Sequence, residues 1–227
     1  METFWIMITL IYCAKGNRRF SEIAAAAGFQ LGAQLPGTIY FPLYFADQNW
    51  KKPNRAAYMA VLEQHRPVMA SVLDLERREQ LSEVLDWAEE AAQWSQSIMI
   101  IPKVSGIIQR LPRRIGDADV VLGYSIPTRH GGTSVWSSEF FGWPIHLLGG
   151  SPHAQMRHAA RMRGVVSADG NMANLLAHRC RFWRQERGLN GHWIQLSECG
   201  DGDWGVGANA EAFRRSCENI MQVWKSF

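Results

Sequence analysis

The chain has 227 residues, 47% hydrophobic and 20% charged, a balance that allows one large domain with a full core and excludes a disordered or fibrous polypeptide. Its formal net charge of +3 permits a polyanionic partner without requiring one. No stretch reaches the ~18 consecutive apolar residues of a membrane-spanning helix, so no membrane association is expected and a cytoplasmic location is.

Taken in chain order, the first apolar run is Phe4–Ala14 (FWIMITLIYCA). Glu2 and no Lys or Arg precede it, so it lacks the basic region of a signal peptide and reads as a buried strand. Short runs at Gly32–Leu35 and Ile39–Phe45 supply two more strands. Met69–Leu73, Ile98–Ile101, Val120–Gly123, Ile145–Leu148 and Val165–Ser167 are near-continuous apolar runs, which suit parallel strands buried on both faces. Between them, Arg78–Trp94 places Leu81, Val84, Leu85, Ala88, Ala91 and Ala92 at helical spacing, and His153–Met162 is a second helical stretch. Strand and helix alternating through eight strands predicts a compact (β/α)8 TIM-type barrel in the α/β class, with an open doubly wound sheet as the competing architecture.

A single domain is expected over residues 1–227, with the barrel core at about 1–178 and a C-terminal helical extension from 179. The extension opens with the basic run RCRFWRQER and passes through the glycine-rich turn GDGDWGVG. It ends in an amphipathic helix over Asn209–Trp224, with Phe213, Cys217, Ile220 and Trp224 on one face. Cys13, Cys180, Cys199 and Cys217 never form a CxxC pair, so neither a zinc site nor a disulfide framework is predicted. No metal or other cofactor is expected.

In parallel α/β folds the catalytic groups lie just beyond the C-terminal ends of the strands. Those positions here hold Asp47, Asp74, Lys103, Tyr124, the turn Gly149-Gly150-Ser151 and the segment Asp169-Gly170-Asn171. Three carboxylates and a lysine converging on one mouth are costly unless a ligand or a reaction uses them. Each also has a local alternative. Asp74 can cap a helix, Asp169 can serve a turn, Lys103 can be a solvated rim charge, and the double glycine can simply allow a tight connection. The functional reading of Gly149-Gly150-Ser151 is a backbone-amide cradle for phosphate.

The ordered strand ends resemble the tRNA-guanine transglycosylase superfamily, and most closely its compact phage and bacterial branch that exchanges 7-deazaguanines in DNA. SADGNM is similar to the setting of the family's nucleophilic aspartate, HLLGGSP to the glycine turn before it, and LGYSIPTRHGGTS to its base-binding turn. SVLDLE and FADQNW are similar to the segments that carry its other aspartates. The resemblance spans approximately residues 30–180. It implies Asp169 as catalytic carboxylate, with Asp47 and Lys103 assisting. Asp74, Gly123, Tyr124, Gly149, Gly150, Ser151 and Asn171 would then bind substrate. Lys103 stands where the family has a glutamine, the family's zinc-binding Cys/His cluster is absent, and the chain is far shorter, all of which favour DNA over tRNA.

The expected activity is therefore cleavage or exchange of a nucleobase in DNA, modified phage DNA included, by a glycosylase or a transglycosylase that takes a free base. The target base would leave the stack for a pocket walled by aromatics such as Tyr124 or Trp50. Arg129, Arg179, Arg181 and Arg184 are the expected contacts to the nucleic-acid backbone. Two alternatives come from other classes. One is a barrel enzyme on a small phosphorylated metabolite that uses Lys103, and the other a barrel that binds nucleic acid without turnover.

Overall fold

The computed structural model describes residues 8–14, 16–128, 131–199 and 207–226. Eight parallel strands run in sequence order around a closed ring: β1 (Thr9–Ala14), β2 (Gln30–Leu35), β3 (Phe45–Gln48), β4 (Met69–Leu75), β5 (Ser97–Pro102), β6 (Ala118–Ser125), β7 (Ile145–Leu148) and β8 (Val165–Asp169). β8 pairs back onto β1, with Leu10 opposite Ala168 and Ile11 opposite Asp169, and this closes the barrel. The fold is thus the TIM-type α/β barrel rather than the open sheet.

Helices cover only part of the ring. They are α1 (Arg18–Ala26), α2 (Arg55–His65), α3 (Leu81–Ala91), α4 (Pro152–Arg161) and α5 (Met172–Ala177), following β1, β3, β4, β7 and β8. Among the described residues the only helical turns in the returns from β5 and β6 are short 3-10 turns, Ile108–Arg110 and Ser137–Phe140, the former followed by a two-residue strand, Arg114–Ile115, antiparallel to the start of β6; the return from β2 has no helix at all. The sequence reading missed α1 and α2, whose starts are marked by asparagine caps. The Asn17 and Asn54 side chains accept from the amides of Phe20 and Ala57, each at 3.1 Å.

Period-two alternation divides the barrel residues between two apolar layers. Leu35, Ala46, Val72, Ile98, Leu122 and Leu147 face outward into the layer beneath the helices, whereas Ile11, Phe45, Met69, Met99, Ile101 and Val121 fill the interior. Gly123 belongs to the interior. A Cβ there would lie 2.7 Å from both Ile101 Cγ1 and Leu148 Cδ1, so the glycine lets those two side chains close over the core. Gly123→Ala is expected to destabilise the protein by about 1–3 kcal/mol through overpacking, read as a lower midpoint of thermal unfolding.

The C-terminal extension is not helical throughout. Arg181–Gln185 (β9) and Gly191–Gln195 (β10) form an antiparallel hairpin, followed by α6 (Ala208–Lys225). Phe182 and Trp183 of β9 are both buried because they enter different apolar clusters. α6 presents Phe213, Cys217, Ile220 and Trp224 to the core, the face expected from the sequence. No disulfide joins the four cysteines, and no helix among the described residues is long and apolar enough to cross a membrane. Residues 4–7 of the expected first strand and 200–206 of the glycine-rich turn lie outside the described residues.

Candidate active site

At the C-terminal end of the barrel the inward-facing positions change character within one two-residue step. Ile11 is followed by Cys13, Gly32 by Gln34, Phe45 by Asp47, Met69 by Ser71, Ile101 by Lys103 and Gly123 by Ser125. The apolar interior therefore ends under a polar layer, and above it opens a cavity of about 560 Å³, within the roughly 300–1,000 Å³ of small-molecule sites. Asp47, Asp74, Lys103, Gly149, Gly150 and Trp50 line it, and Ile101 and Leu148 are its apolar contributors from below. A register shift in β4 between Ser71 and Asp74 changes the strand's phase, so both residues reach the cavity.

Asp47 is the most perturbed acid. Burial, then the negative charge of Asp169, push its pKa up to about 7, against weaker lowering by the Ser71 hydroxyl. Ser71 Oγ donates to Asp47 Oδ1 at 3.3 Å and Gln34 Nε2 to Oδ2 at 3.4 Å. Beneath them the buried Tyr58 hydroxyl of α2 reaches the carbonyls of Ala46 at 3.1 Å and Ser71 at 2.6 Å, fixing β3 against β4. Asp74 is also raised by burial, opposed by Lys103, whose ammonium lies 3.6 Å away in a partly buried ion pair.

Asp169 sits at the edge of the cavity, beside Gly149, rather than in its lining. Its Oδ1 accepts the Gly149 amide at 3.1 Å and lies 3.4 Å from His146 Nε2, while Oδ2 accepts the Cys13 thiol at 3.3 Å. His146 is fully buried inside the barrel, with Nδ1 2.7 Å from Ser167 Oγ. Gln34, Ser71, Cys13, His146 and Ser167 were missed from sequence. The available signals were a histidine inside the apolar run IHLL and, for Ser167, a polar residue two positions before a strand-end acid; Gln34, Ser71 and Cys13 carried none.

Several expected site residues lie elsewhere. Tyr124 points outward, where it packs edge-on against Phe140, because its neighbours Gly123 and Ser125 take the inward positions. Gly123 serves interior packing below the cavity. Ser151 caps α4 by accepting from Ala154 N, and Asn171 occupies the position before α5; neither lines the cavity. The expected phosphate cradle is altered as well, since the Gly149 amide is already donated to Asp169. Arg181 and Arg184 are exposed on β9, Arg179 precedes it, and none of the three lines the cavity; Arg181 instead donates to the Trp193 carbonyl across the hairpin at 2.9 Å. Arg129 and His130 lie outside the described residues. Among the described residues no three His, Cys, Asp or Glu side chains are grouped as metal ligands.

The sequence matches a family of unknown function, DUF6610, over residues 26–225. The chain belongs to that family. The match runs from the end of α1 through β2–β8 and the hairpin nearly to the end of α6, while β1 and most of α1 precede it. No curated protein matches the sequence.

Proposed function

We propose that this protein breaks the N-glycosidic bond of a nucleobase in DNA, as a glycosylase or a base-exchanging transglycosylase. The observation that carries the reading is the pairing of two differently placed carboxylates around one nucleoside-sized cavity. Asp169 is oriented by donors on both oxygens, and Asp47, with its pKa near 7, can hold a proton at neutral pH. The resemblance of the strand ends to the transglycosylases points the same way.

In the proposed reaction an Asp169 oxygen donates an electron pair to C1′ of the sugar, and the C1′–N bond breaks with its pair leaving on the base. Asp47 gives its proton to the departing nitrogen. The resulting glycosyl ester is then opened at C1′ by water, or by the nitrogen of an incoming base, whose proton returns to Asp47. Lys103, held against Asp74, presents a positive charge to the base or to a flanking phosphate.

The test incubates purified protein with ordinary and phage-modified DNA, with and without free 7-deazaguanine bases, and uses mass spectrometry to detect released base, abasic sites and incorporated base. Release or exchange is expected. Lys103→Ala should lower it by roughly 10²-fold, the scale of one lost electrostatic contact, and borohydride should trap no protein–substrate adduct. Absence of product from every DNA tested, or a borohydride-trapped adduct at Lys103, would overturn the reading.

A further inference from the structure

Asp169 is held in a way that makes its two oxygens unequal. The register of β7 on β8 sets His146 opposite Ser167 and Leu148 opposite Asp169. Two residues apart on β8, Ser167 and Asp169 thus face the two nitrogens of one imidazole, at 2.7 Å and 3.4 Å. A carboxylate only accepts hydrogen bonds, so the imidazole must turn a protonated Nε2 toward Oδ1. Nδ1 is then left to the Ser167 hydroxyl, which can donate to it. The ring has little freedom to leave this position, since it is fully buried and the Phe45 ring lies against it at 5.4 Å between centroids. Gly149, three residues beyond His146 and in the left-handed region at φ 67°, adds its amide to the same oxygen at 3.1 Å.

Oδ1 therefore faces two N–H donors, of which the Gly149 amide is shared with the Asp169 carbonyl at 3.1 Å, whereas Oδ2 meets only a weak donor, the Cys13 thiol, at 3.3 Å. We infer that Ser167 and His146 are positioning residues that fix the Asp169 carboxylate and make Oδ2 the oxygen that meets the sugar carbon. The inference rests on the N-glycosidic reading for the identity of the electrophile, but the fixed carboxylate is a property of the protein alone. At 3.4 Å the contact from Nε2 is the longer of the two that the imidazole makes.

The experiment has two arms. Long-range proton–nitrogen spectra of the full-length protein with labelled histidine, assigned by loss of one signal set in His146→Gln, report which ring nitrogens carry protons. A protonated Nε2 that changes its shift in Asp169→Asn, together with an Nδ1 signal that moves in Ser167→Ala, is expected. A bare Nε2, or an imidazole indifferent to both substitutions, overturns the inference whether or not the protein acts on DNA.

The second arm uses the DNA from which the parent protein releases base. His146→Gln keeps an N–H close to the place of Nε2, and His146→Leu does not. Loss of positioning on this scale can slow chemistry by ~100-fold. The leucine variant should therefore fall about that far in kcat with KM nearly unchanged, and the glutamine variant should retain at least ~10-fold more activity than leucine. Equal rates for the two, with both folded by circular dichroism, would overturn the positioning role. If the parent protein releases no base from any DNA, the N-glycosidic reading fails and the first arm alone decides whether the carboxylate is held as described.

Discussion

Asp169→Asn is expected to abolish base release, slowing it by at least ~10³-fold, as expected when a group acting directly on the reacting centre is removed. Beyond removing the negative charge that helps to raise the Asp47 pKa, the substitution changes little else. An asparagine oxygen in the place of Oδ1 can still accept from the Gly149 amide and from His146. The second position becomes an NH2 group, which has no lone pair to give to C1′ and no negative charge to balance the developing positive charge on the sugar. The variant should therefore unfold within a few degrees of the parent while losing turnover. Mass spectrometry of the parent quenched during reaction should show a glycosyl adduct on the peptide containing Asp169. A variant as fast as the parent would remove this residue from the chemistry.

Asp47→Asn should separate activity from stability. The pKa of Asp47 is raised from 3.8 to about 7, so between those values the folded protein keeps a proton that the unfolded chain has lost. A state that binds more protons is weakened as pH rises. The parent accordingly loses stability progressively from about pH 4 to pH 7, and the full penalty is present above pH 7. Asparagine has no charge to bury. The stability difference in favour of Asp47→Asn should be absent near pH 4, grow through that window and then level off, as measured by denaturant unfolding at a series of pH values. Base release should move the other way. In the parent it should decline above pH 7 as Asp47 loses the proton it donates, and in Asp47→Asn it should fall by ~10²-fold, the scale of general acid catalysis, with that decline gone. A stability gap that is flat with pH would show that Asp47 is not the strained acid of this site.

The barrel was legible in the sequence because strands buried on both faces have a distinctive composition. Val120–Gly123, Ile145–Leu148 and Val165–Ser167 all fall within observed strands. The third strand was misplaced for a physical reason. The run Ile39–Phe45 is apolar and aromatic, yet residues 36–44 are the return from the top of β2 to the bottom of β3, with no helix to cover that wall. Leu43 is buried there and Ile39 packs against the outer core, so the connection carries the burial pattern of a strand without being one. The strand-end acids expected from the sequence do come together, Asp47 and Asp74 in the cavity lining and Asp169 at its edge beside Gly149. Tyr124 failed by parity, since a one-residue change of register moves a side chain to the opposite face of a strand. His146 and Ser167 were hidden because their roles depend on the pairing of two strands 20 residues apart, which no local pattern reports.

The hairpin behind the barrel bears on how the molecule behaves when crowded. A ring of eight strands offers no lateral backbone to a neighbouring copy, but a two-stranded ribbon has two such sides. On one of them α6 intervenes, since Ser216 accepts the Trp183 amide at 3.0 Å and Asn219 donates to the Trp183 carbonyl at 2.8 Å. Among the described residues the other side, along Gly191–Gln195, has no such guard from α6 and only the Arg181 contact to the Trp193 carbonyl, so strand addition by a second copy would start there if anywhere.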